Sequence, residues 1–287
     1  LTFGVVVGDV IVEPTKTGVR ALSLTRARPK PPPVEEAQSV LLREDAISEA
    51  MVEELRAIKD RGEVAEIREA VSFAEQAFAT LRTSIRRDQT EKQVADSLEY
   101  GMRLAGAKCA SFPSIIAVGP RAALPHARPT AKRLDEEGFV LVDWGASGRL
   151  YKSDLTRMLV TAKISPKLER VYGVVLKAQR ESIAAIRPGA VMEDVYNVAK
   201  KVIADAGFGK YFTHGLGHSF GLEIHESVRL GPDQKRALAP GMVVTVEPGI
   251  YLPGVGGVRI EDDILVTRGG HEVMTSVPQE LADCVVN

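Results

Sequence analysis

Three of the five histidines in this 287-residue chain lie in one short segment, HGLGHSFGLEIHE (214–226). On a helix, His214, His218 and His225 would project in nearly the same direction, like the ligands of a metal. The glycines between them disfavour a helix, and the spacing differs from the His-Glu-x-x-His pattern of helical zinc proteases. On a strand, His225 would point away from the other two unless a glycine bulge re-aimed it. The segment alone therefore leaves open a metal site, a proton relay or ordinary buried imidazoles.

Four acidic residues interrupt Val- and Ile-rich segments that otherwise predict strands. Asp143 and Asp154 flank a glycine-containing turn in VDWGASGRLYKSDLTR, so the two strands of a hairpin would bring them together. Glu247 lies in TVEPGIYL, and Glu261 lies in GGVRIEDD. Taken singly, each acid is more typical of a turn or a solvated face. A buried carboxylate, however, costs free energy unless it is paired or binds a metal.

Taken together, these groups match the charge of a dinuclear metal site, because four carboxylates and one neutral imidazole balance two divalent cations. Two metals about 3.5–4 Å apart would bridge a water molecule, lower its pKa and polarise a carbonyl group. Ligation by many carboxylates and one imidazole suits manganese, cobalt or iron(II) as well as zinc. The lack of cysteine ligands disfavours a structural zinc site.

The overall composition excludes several classes of partner. The formal net charge is −1, with 37 basic and 38 acidic residues, and these are mixed along the chain without a basic surface for nucleic acid. Only two cysteines are present, which fits a reducing compartment. No apolar run approaches the roughly 20 residues of a membrane span, and the first residues lack the charged start of a signal peptide. We expect a cytoplasmic protein that acts on a small partner and binds neither nucleic acid nor membrane.

The elements that must position these residues begin with two short strands, in FGVVVGDVIVEP and GVRALSL. A proline-rich extended linker follows at 28–36, and a long helical stretch at 37–81 predicts two helices broken near Gly62. We place a domain boundary near residue 60, between a short N-terminal α/β segment with its linker (1–60) and a larger domain (61–287).

An internal repeat indicates the fold of the larger domain. IRRDQTEKQVADSLEYGMRLAGA (85–107) aligns without gaps to IRPGAVMEDVYNVAKKVIADAGF (186–208), and each copy ends in Ala-Gly, where a helix C-cap belongs. Thr90 and Gln93 supply a capping box in the first copy. Strand-like segments follow each copy, SIIAVG and FVLVDWGA after the first, MVVTVEPGIYL and VRIEDDILVT after the second. The alternative is chance similarity between two amphipathic helices, but the pattern favours a pseudo-twofold α+β domain with a site between the sheet halves.

Six motifs, in this order along the chain, resemble those of the pita-bread metallopeptidases: ALPHARPT, LVDWGA, YKSDLTR, HGLGHSFGLEIHE, TVEPGIY and GGVRIEDD. This family comprises methionine aminopeptidases, Xaa-Pro aminopeptidases, Xaa-Pro dipeptidases (prolidases) and creatinases, and the resemblance covers roughly residues 52–287. It implies a pseudo-twofold α+β pita-bread catalytic domain at 61–287, preceded by a reduced or truncated creatinase-type domain at 1–60. It also implies a homodimer.

The resemblance assigns roles to individual residues. Two divalent metal ions per chain, manganese or cobalt first and zinc or iron as alternatives, would be held by Asp143, Asp154, His218, Glu247 and Glu261. Glu247 would also be the general base. His126 would hydrogen-bond at the scissile bond or shuttle protons, and His225 would stabilise the tetrahedral intermediate. His214 would lie at the pocket wall, and Arg259 would support a metal ligand.

Within the family, GHSFGLEIHESVR lacks the proline of the methionine aminopeptidase segment and is similar to the proline-directed branch. Arg229 falls where prolidases have an arginine that binds the free carboxylate of a dipeptide, a contact that suits a planar guanidinium.

We therefore expect a prolidase, a dinuclear metal-dependent exopeptidase that hydrolyses Xaa-Pro dipeptides by attack of a metal-bridging hydroxide. The alternatives are an Xaa-Pro aminopeptidase acting on longer peptides and a non-catalytic pita-bread binding protein. Proteins of the latter kind typically lose metal ligands that this chain retains.

Overall fold

A computed structural model describes residues 49–286 and the backbone of three strands before them, β1 (Val5–Val7), β2 (Val10–Thr15) and β3 (Gly18–Ser23). The linker predicted at 28–36 lies outside the described residues. By the packing of its Cα atoms, the chain divides into two units, Leu1–Arg56 and Ala57–Asn287. The three N-terminal strands form an antiparallel sheet in the order β1-β2-β3. The assignment of this unit as a reduced creatinase-type domain with a boundary near residue 60 stays a prediction.

Helices and short strands alternate through the rest of the described chain. The helices are α1 (Glu49–Ala57), α2 (Arg61–Ser84), α3 (Glu91–Ala105), α4 (Pro166–Ala185) and α5 (Met192–Asp205). The strands of the first half are β4 (Cys109–Ala110), β5 (Ile115–Val118), β6 (Phe139–Trp144), β7 (Ala146–Ser147) and β8 (Leu155–Val160). Those of the second half are β9 (Gly217–His218), β10 (Arg229–Leu230), β11 (Val243–Val246), β12 (Gly249–Leu252), β13 (Gly256–Arg259), β14 (Asp262–Thr267) and β15 (Gly270–Val273). None of the described helices has the length and apolar character that a membrane crossing needs.

The pseudo-twofold α+β arrangement predicted from the repeat is present in the second unit. In each half, a long helix packs against a shorter one, α2 against α3 and α4 against α5, and a three-stranded sheet follows. These antiparallel sheets have the orders β5-β6-β8 and β11-β14-β15. Each half buries an apolar core around its helix pair and its sheet, with Leu98 and Val142 in the first and Val195 and Ile264 in the second.

The helix boundaries follow from capping residues. The predicted break in the first helical stretch falls at 58–60 rather than near Gly62, because Asp60 caps α2 and forms a capping box with Glu63. The capping box predicted for Thr90 and Gln93 is confirmed at the start of α3. Both caps satisfy backbone N–H groups that the first turn of a helix leaves without partners.

Two strand-like segments of the sequence each break at a glutamate. MVVTVEPGIYL gives β11 and β12, which belong to different sheets, and the break falls at Glu247–Pro248, where proline has no N–H for a ladder. VRIEDDILVT gives β13 and β14, also in different sheets, and the break falls at Ile260–Glu261. There the Glu261 N–H donates to the carbonyl of Thr156 at 3.2 Å. Both glutamates therefore lie where the chain passes from one sheet to another.

The hairpin of β6 and β8 brings Asp143 and Asp154 to one end of their sheet. Trp144 fixes this end against α2, because its indole N–H donates to the Ala74 carbonyl at 3.0 Å and its ring stacks on Phe78. Side chains alternate along a strand, so Asp143 points to the face opposite the helix. Between the two aspartates, a Cβ atom on Gly145 would lie 1.9 Å from the Ser153 carbonyl oxygen. Only glycine permits this close approach of the two strands at the site.

Two glycine-to-alanine substitutions are expected to change stability in opposite directions. Gly145→Ala should lower the free energy of unfolding by about 1–3 kcal/mol, because the new methyl group must displace the Ser153 backbone. Gly173→Ala lies in the exposed interior of α4, where a Cβ meets nothing within 4 Å, and should stabilise by about 0.5–1 kcal/mol. Unfolding midpoints of both variants, compared under the same chelating buffer, test this. Equal midpoints would contradict it.

Candidate active site

A pocket of about 560 Å³ opens in the second unit, between residues from both halves of the pseudo-twofold domain. Every site residue predicted from the sequence lines it: His126, Asp143, Asp154, His214, His218, His225, Arg229, Glu247, Arg259 and Glu261. The structure therefore brings together residues that are more than a hundred positions apart in the chain.

Three of the predicted metal ligands form a compact cluster of buried side chains. Ligand atoms of Asp154, His218 and Glu261 all lie within 4.8 Å of one another. The His218 Nε2 atom is 3.5 Å from Asp154 Oδ2 and 3.4 Å from Glu247 Oε1. Asp143 enters the same pocket, and its Oδ1 atom is buried without a hydrogen-bond partner. Its other oxygen, Oδ2, accepts a hydrogen bond from Arg259.

The backbone around His218 selects the tautomer of its ring. Its Nδ1 lies 3.2 Å from the Ser219 carbonyl, which can only accept, so Nδ1 carries the proton. The lone pair of Nε2 then faces Asp154 and Glu247, as a metal-binding imidazole requires. A Cβ atom on Gly217 would lie 1.9 Å from the Thr245 carbonyl oxygen. Only glycine permits this approach, which places His218 beside β11.

The four pocket carboxylates are crowded in a low-dielectric environment. Burial raises the pKa of Asp154 and of Glu261 well above the ordinary range, and the neighbouring carboxylates raise both further. Burial also raises the pKa of Asp143, against the opposing charge of Arg259, and raises the pKa of Glu247 to about 7. Each carboxylate in this cluster is therefore costly to ionise unless positive charge is added.

Arg259 is the buried positive charge of the pocket, and it organises two of the predicted residues. Its guanidinium donates to Asp143 Oδ2 and, at 2.8 Å, to the hydroxyl of Tyr251. The Tyr251 hydroxyl lies 2.8 Å from His214 Nε2, and His214 Nδ1 lies 2.6 Å from the Gly215 carbonyl. The carbonyl can only accept, so Nδ1 donates and Nε2 accepts from Tyr251. Burial, followed by the charge of Arg259, lowers the pKa of His214 to about 4, and the ring stays neutral.

Two further residues of this network are missed by sequence reasoning. Tyr251 joins Arg259 to His214, and Thr156 donates to Glu261 Oε2 at 2.6 Å while it accepts from Arg259 Nε at 3.2 Å. Alternation along β8 places Thr156 on the same face as Asp154, and that spacing was the available signal. Tyr251 had no comparable signal, because its role depends on which strands become neighbours.

His225, His126 and Arg229 lie at the exposed part of the pocket. The His225 ring centroid is 4.3 Å from that of His218, and burial together with the charge of Arg229 lowers the pKa of His225. Arg229 is paired with His218 across the β9–β10 ladder. Directly paired residues of antiparallel strands point to the same face. Arg229 therefore projects on the side of the sheet that carries the candidate metal ligands.

The donor set fits divalent cations. Four carboxylates share the pocket with one buried guanidinium, one Asp143 oxygen has no donor, and the Nε2 lone pair of His218 points at carboxylate oxygens. Oxygen-rich ligation with one imidazole suits Mn²⁺, Co²⁺, Fe²⁺ or Zn²⁺. The residues that would hold the cations are Asp143, Asp154, His218, Glu247 and Glu261.

Comparisons with known proteins agree with this geometry. The model of metallopeptidase family M24 matches residues 65–268. An Xaa-Pro dipeptidase from Pyrococcus horikoshii is 38% identical over 231 residues, which cover 80% of this chain. The chain spans 66% of the length of that relative, just under two thirds.

Solved structures give the same result. An Xaa-Pro dipeptidase from Bacillus anthracis is 33% identical with a TM-score of 0.81, and the match covers 98% of this chain and 90% of the dipeptidase chain. An X-Pro aminopeptidase from Thermotoga maritima is 35% identical with a TM-score of 0.79, and the match covers 83% of this chain and 67% of the aminopeptidase chain. The chain belongs to the M24 metallopeptidase family, and the expected α+β pita-bread fold is confirmed. Membership implies divalent metal ions, and the buried cluster of Asp154, His218 and Glu261 is a candidate site for them.

Asp154→Asn is expected to separate metal binding from folding. In chelating buffer the variant should unfold at the same or a higher temperature than the parent, because it removes one of four crowded acids. Excess Mn²⁺ should stabilise the parent in proportion to its affinity and stabilise the variant far less. Thermal unfolding with chelator and with Mn²⁺ measures both effects.

Asp205→Asn is the matched control, since Asp205 is an exposed acid paired with Lys201 on α5. It should show the same Mn²⁺-dependent shift as the parent protein. If Mn²⁺ raises the unfolding temperature of Asp154→Asn as much as that of the parent protein, Asp154 is not a metal ligand.

Proposed function

We propose that this chain is a prolidase, a dinuclear metal-dependent exopeptidase that hydrolyses Xaa-Pro dipeptides. The observation that carries this choice is the position of Arg229, which is paired with His218 and lines the pocket beside the candidate metal ligands. A dipeptide has a free carboxylate one residue beyond its scissile bond. A guanidinium near the candidate metal ligands would bind that carboxylate in a bidentate contact and so select short substrates.

The remaining pocket residues would divide the chemical work. Bound divalent cations supply Lewis-acid polarisation of a carbonyl group and activation of water near neutral pH. The Glu247 carboxylate takes a proton from the attacking water and passes it towards the leaving proline nitrogen. His225, exposed next to His218, donates to the oxygen on which negative charge develops.

The other two histidines would act on the substrate rather than on the metals. His126, on the loop between β5 and β6, hydrogen-bonds at the scissile bond or moves a proton there. His214 is held by Tyr251 and Gly215 and forms part of the pocket wall. Because both of its ring nitrogens are engaged, it supplies a fixed surface against which the substrate packs.

The rival function is that of an Xaa-Pro aminopeptidase, which acts on longer peptides. The similarity to the X-Pro aminopeptidase from Thermotoga maritima favours it, at nearly the same TM-score as the dipeptidase. The two activities differ in whether the residue after proline is tolerated. Hydrolysis of Ala-Pro compared with Ala-Pro-Ala separates them, and equal or better hydrolysis of the tripeptide would contradict the prolidase proposal.

Arg229→Ala is expected to lower kcat/KM for Ala-Pro by about 10–100-fold, since a charge-assisted contact contributes about 1.5–3 kcal/mol. The effect on Ala-Pro-Ala should be less than about threefold, because its carboxylate lies one residue further away. Steady-state kinetics with both peptides measure this difference.

Arg128→Ala is the matched control, because Arg128 is a second arginine that lines the same pocket. It should leave the ratio of the two kcat/KM values unchanged. A selective loss of dipeptide hydrolysis in Arg128→Ala instead of Arg229→Ala would transfer the carboxylate-binding role to Arg128.

The homodimer and the cytoplasmic location stay predictions.

A further inference from the structure

The carboxylate of Glu91, the first residue of α3, is fully buried outside the metal-ligand cluster. Its Oε1 atom accepts from the backbone N–H of Val118 at 2.8 Å, and its Oε2 atom accepts from the N–H and the hydroxyl of Thr130 at 2.8 and 2.6 Å. The Arg121 Nε atom donates to both oxygens, at 2.9 and 3.0 Å. One carboxylate thus receives four donor groups from a single stretch of chain.

That stretch, residues 118–130, encloses the rim loop (119–129), which carries His126 to the pocket. Val118 lies immediately before the loop and Thr130 immediately after it, so Glu91 holds both ends. Arg121 spans the loop from within, since its Nη2 atom donates to the Arg128 carbonyl at 2.6 Å. Both ends of the loop that carries His126 are therefore hydrogen-bonded to one buried carboxylate.

The second half of the domain shows what the fold itself requires at this position. In the internal repeat, Glu91 aligns with Met192, the first residue of α5. The backbone contacts are the same, because the Glu91 N–H donates to Lys132 O at 2.9 Å and the Met192 N–H donates to Arg236 O at 3.0 Å. A thioether without charge supports the same helix start in the second half.

The next residues of both halves repeat these contacts as well. The Lys92 N–H donates to Thr130 O, and the Glu193 N–H donates to Gln234 O, both at 3.0 Å. The carboxylate is therefore an addition to a junction that already forms through its backbone. Burying a carboxylate is costly unless donors surround it. Its donors lie within the rim loop, at Arg121, and at its two ends, at Val118 and Thr130.

We propose that Glu91 is a positioning residue for His126, which it serves by fixing both ends of the rim loop so that the imidazole meets the scissile bond. This inference rests on the role given to His126 in the proposed function. Glu91 itself does not line the pocket and acts only through the loop.

A double-mutant cycle on the metal-loaded enzyme tests the inference, with kcat and KM for Ala-Pro as the readout. His126→Ala should lower kcat by about 100-fold. Glu91→Gln, which keeps the shape but removes the charge and places amide hydrogens against donors, should lower kcat about tenfold by misplacing the loop. KM and metal content should stay within about twofold. In the His126→Ala background, Glu91→Gln should have less than about a twofold effect, because coupled residues are not additive.

Each departure has a separate meaning. If Glu91→Gln lowers kcat as much in the His126→Ala background as in the parent, Glu91 acts independently of His126 and the inference is overturned while the proposed function stands. If His126→Ala leaves kcat unchanged, the proposed role of His126 fails, and the inference fails with it.

Two further variants test whether the loss of kcat in Glu91→Gln comes from misfolding or from a general effect of changing a glutamate at a helix start. Thr130→Val removes the 2.6 Å hydroxyl contact to Glu91, together with the hydrogen bond that this hydroxyl accepts from the Lys132 N–H at 3.2 Å. It should reproduce a smaller loss of kcat with the same coupling to His126, even if Glu91→Gln does not fold. Glu193→Gln is the matched control, because Glu193 accepts from the Asp233 N–H and from Lys235 near the start of α5, away from the pocket. It should leave kcat within about twofold of the parent.

Discussion

The cost of burying four neighbouring carboxylates in one pocket is the constraint on which the site depends. Asp143, Asp154, Glu247 and Glu261 are brought together against a desolvation cost that Arg259 alone does not offset. Such a cluster persists only when positive charge enters it or when protons neutralise it. The fold keeps these acids in place through rigid surroundings, and divalent cations provide the charge that an M24 metallopeptidase uses.

Much of the second unit serves to hold this unfavourable arrangement. Trp144 anchors the strand of Asp143 to a long helix, and Gly145 and Gly217 allow backbones to approach more closely than a side chain permits. The two glutamates lie at strand breaks, where the backbone turns from one sheet to the next.

The histidines are held in position by different contacts. A carbonyl fixes the tautomer of His218, Tyr251 fixes His214, and the loop of His126 closes on Glu91.

The sequence predicted the pseudo-twofold fold because two helical segments align without gaps and strand-like segments follow each copy. Every site residue that the sequence predicted also lines the pocket. The division of VRIEDDILVT and of MVVTVEPGIYL into two strands each was not predictable from periodicity. Each segment has the pattern of a single strand, although its two halves belong to different sheets. Tyr251 and Glu91 were missed for a related reason. Their partners are distant in sequence, and a hydroxyl or an acid at a helix start has no local signature that distinguishes a structural from a functional contact.

The most direct measurement of the central claim is Ala-Pro hydrolysis during reconstitution of chelated protein with Mn²⁺, with bound metal determined in the same samples. Activity is expected to be absent after chelation, to rise as Mn²⁺ is added, and to saturate at about two equivalents per chain, the stoichiometry of a two-metal hydrolase. Full activity after chelation would contradict a metal-dependent peptidase. Failure to bind two equivalents would contradict the pairing of these four carboxylates and His218 with a dinuclear centre.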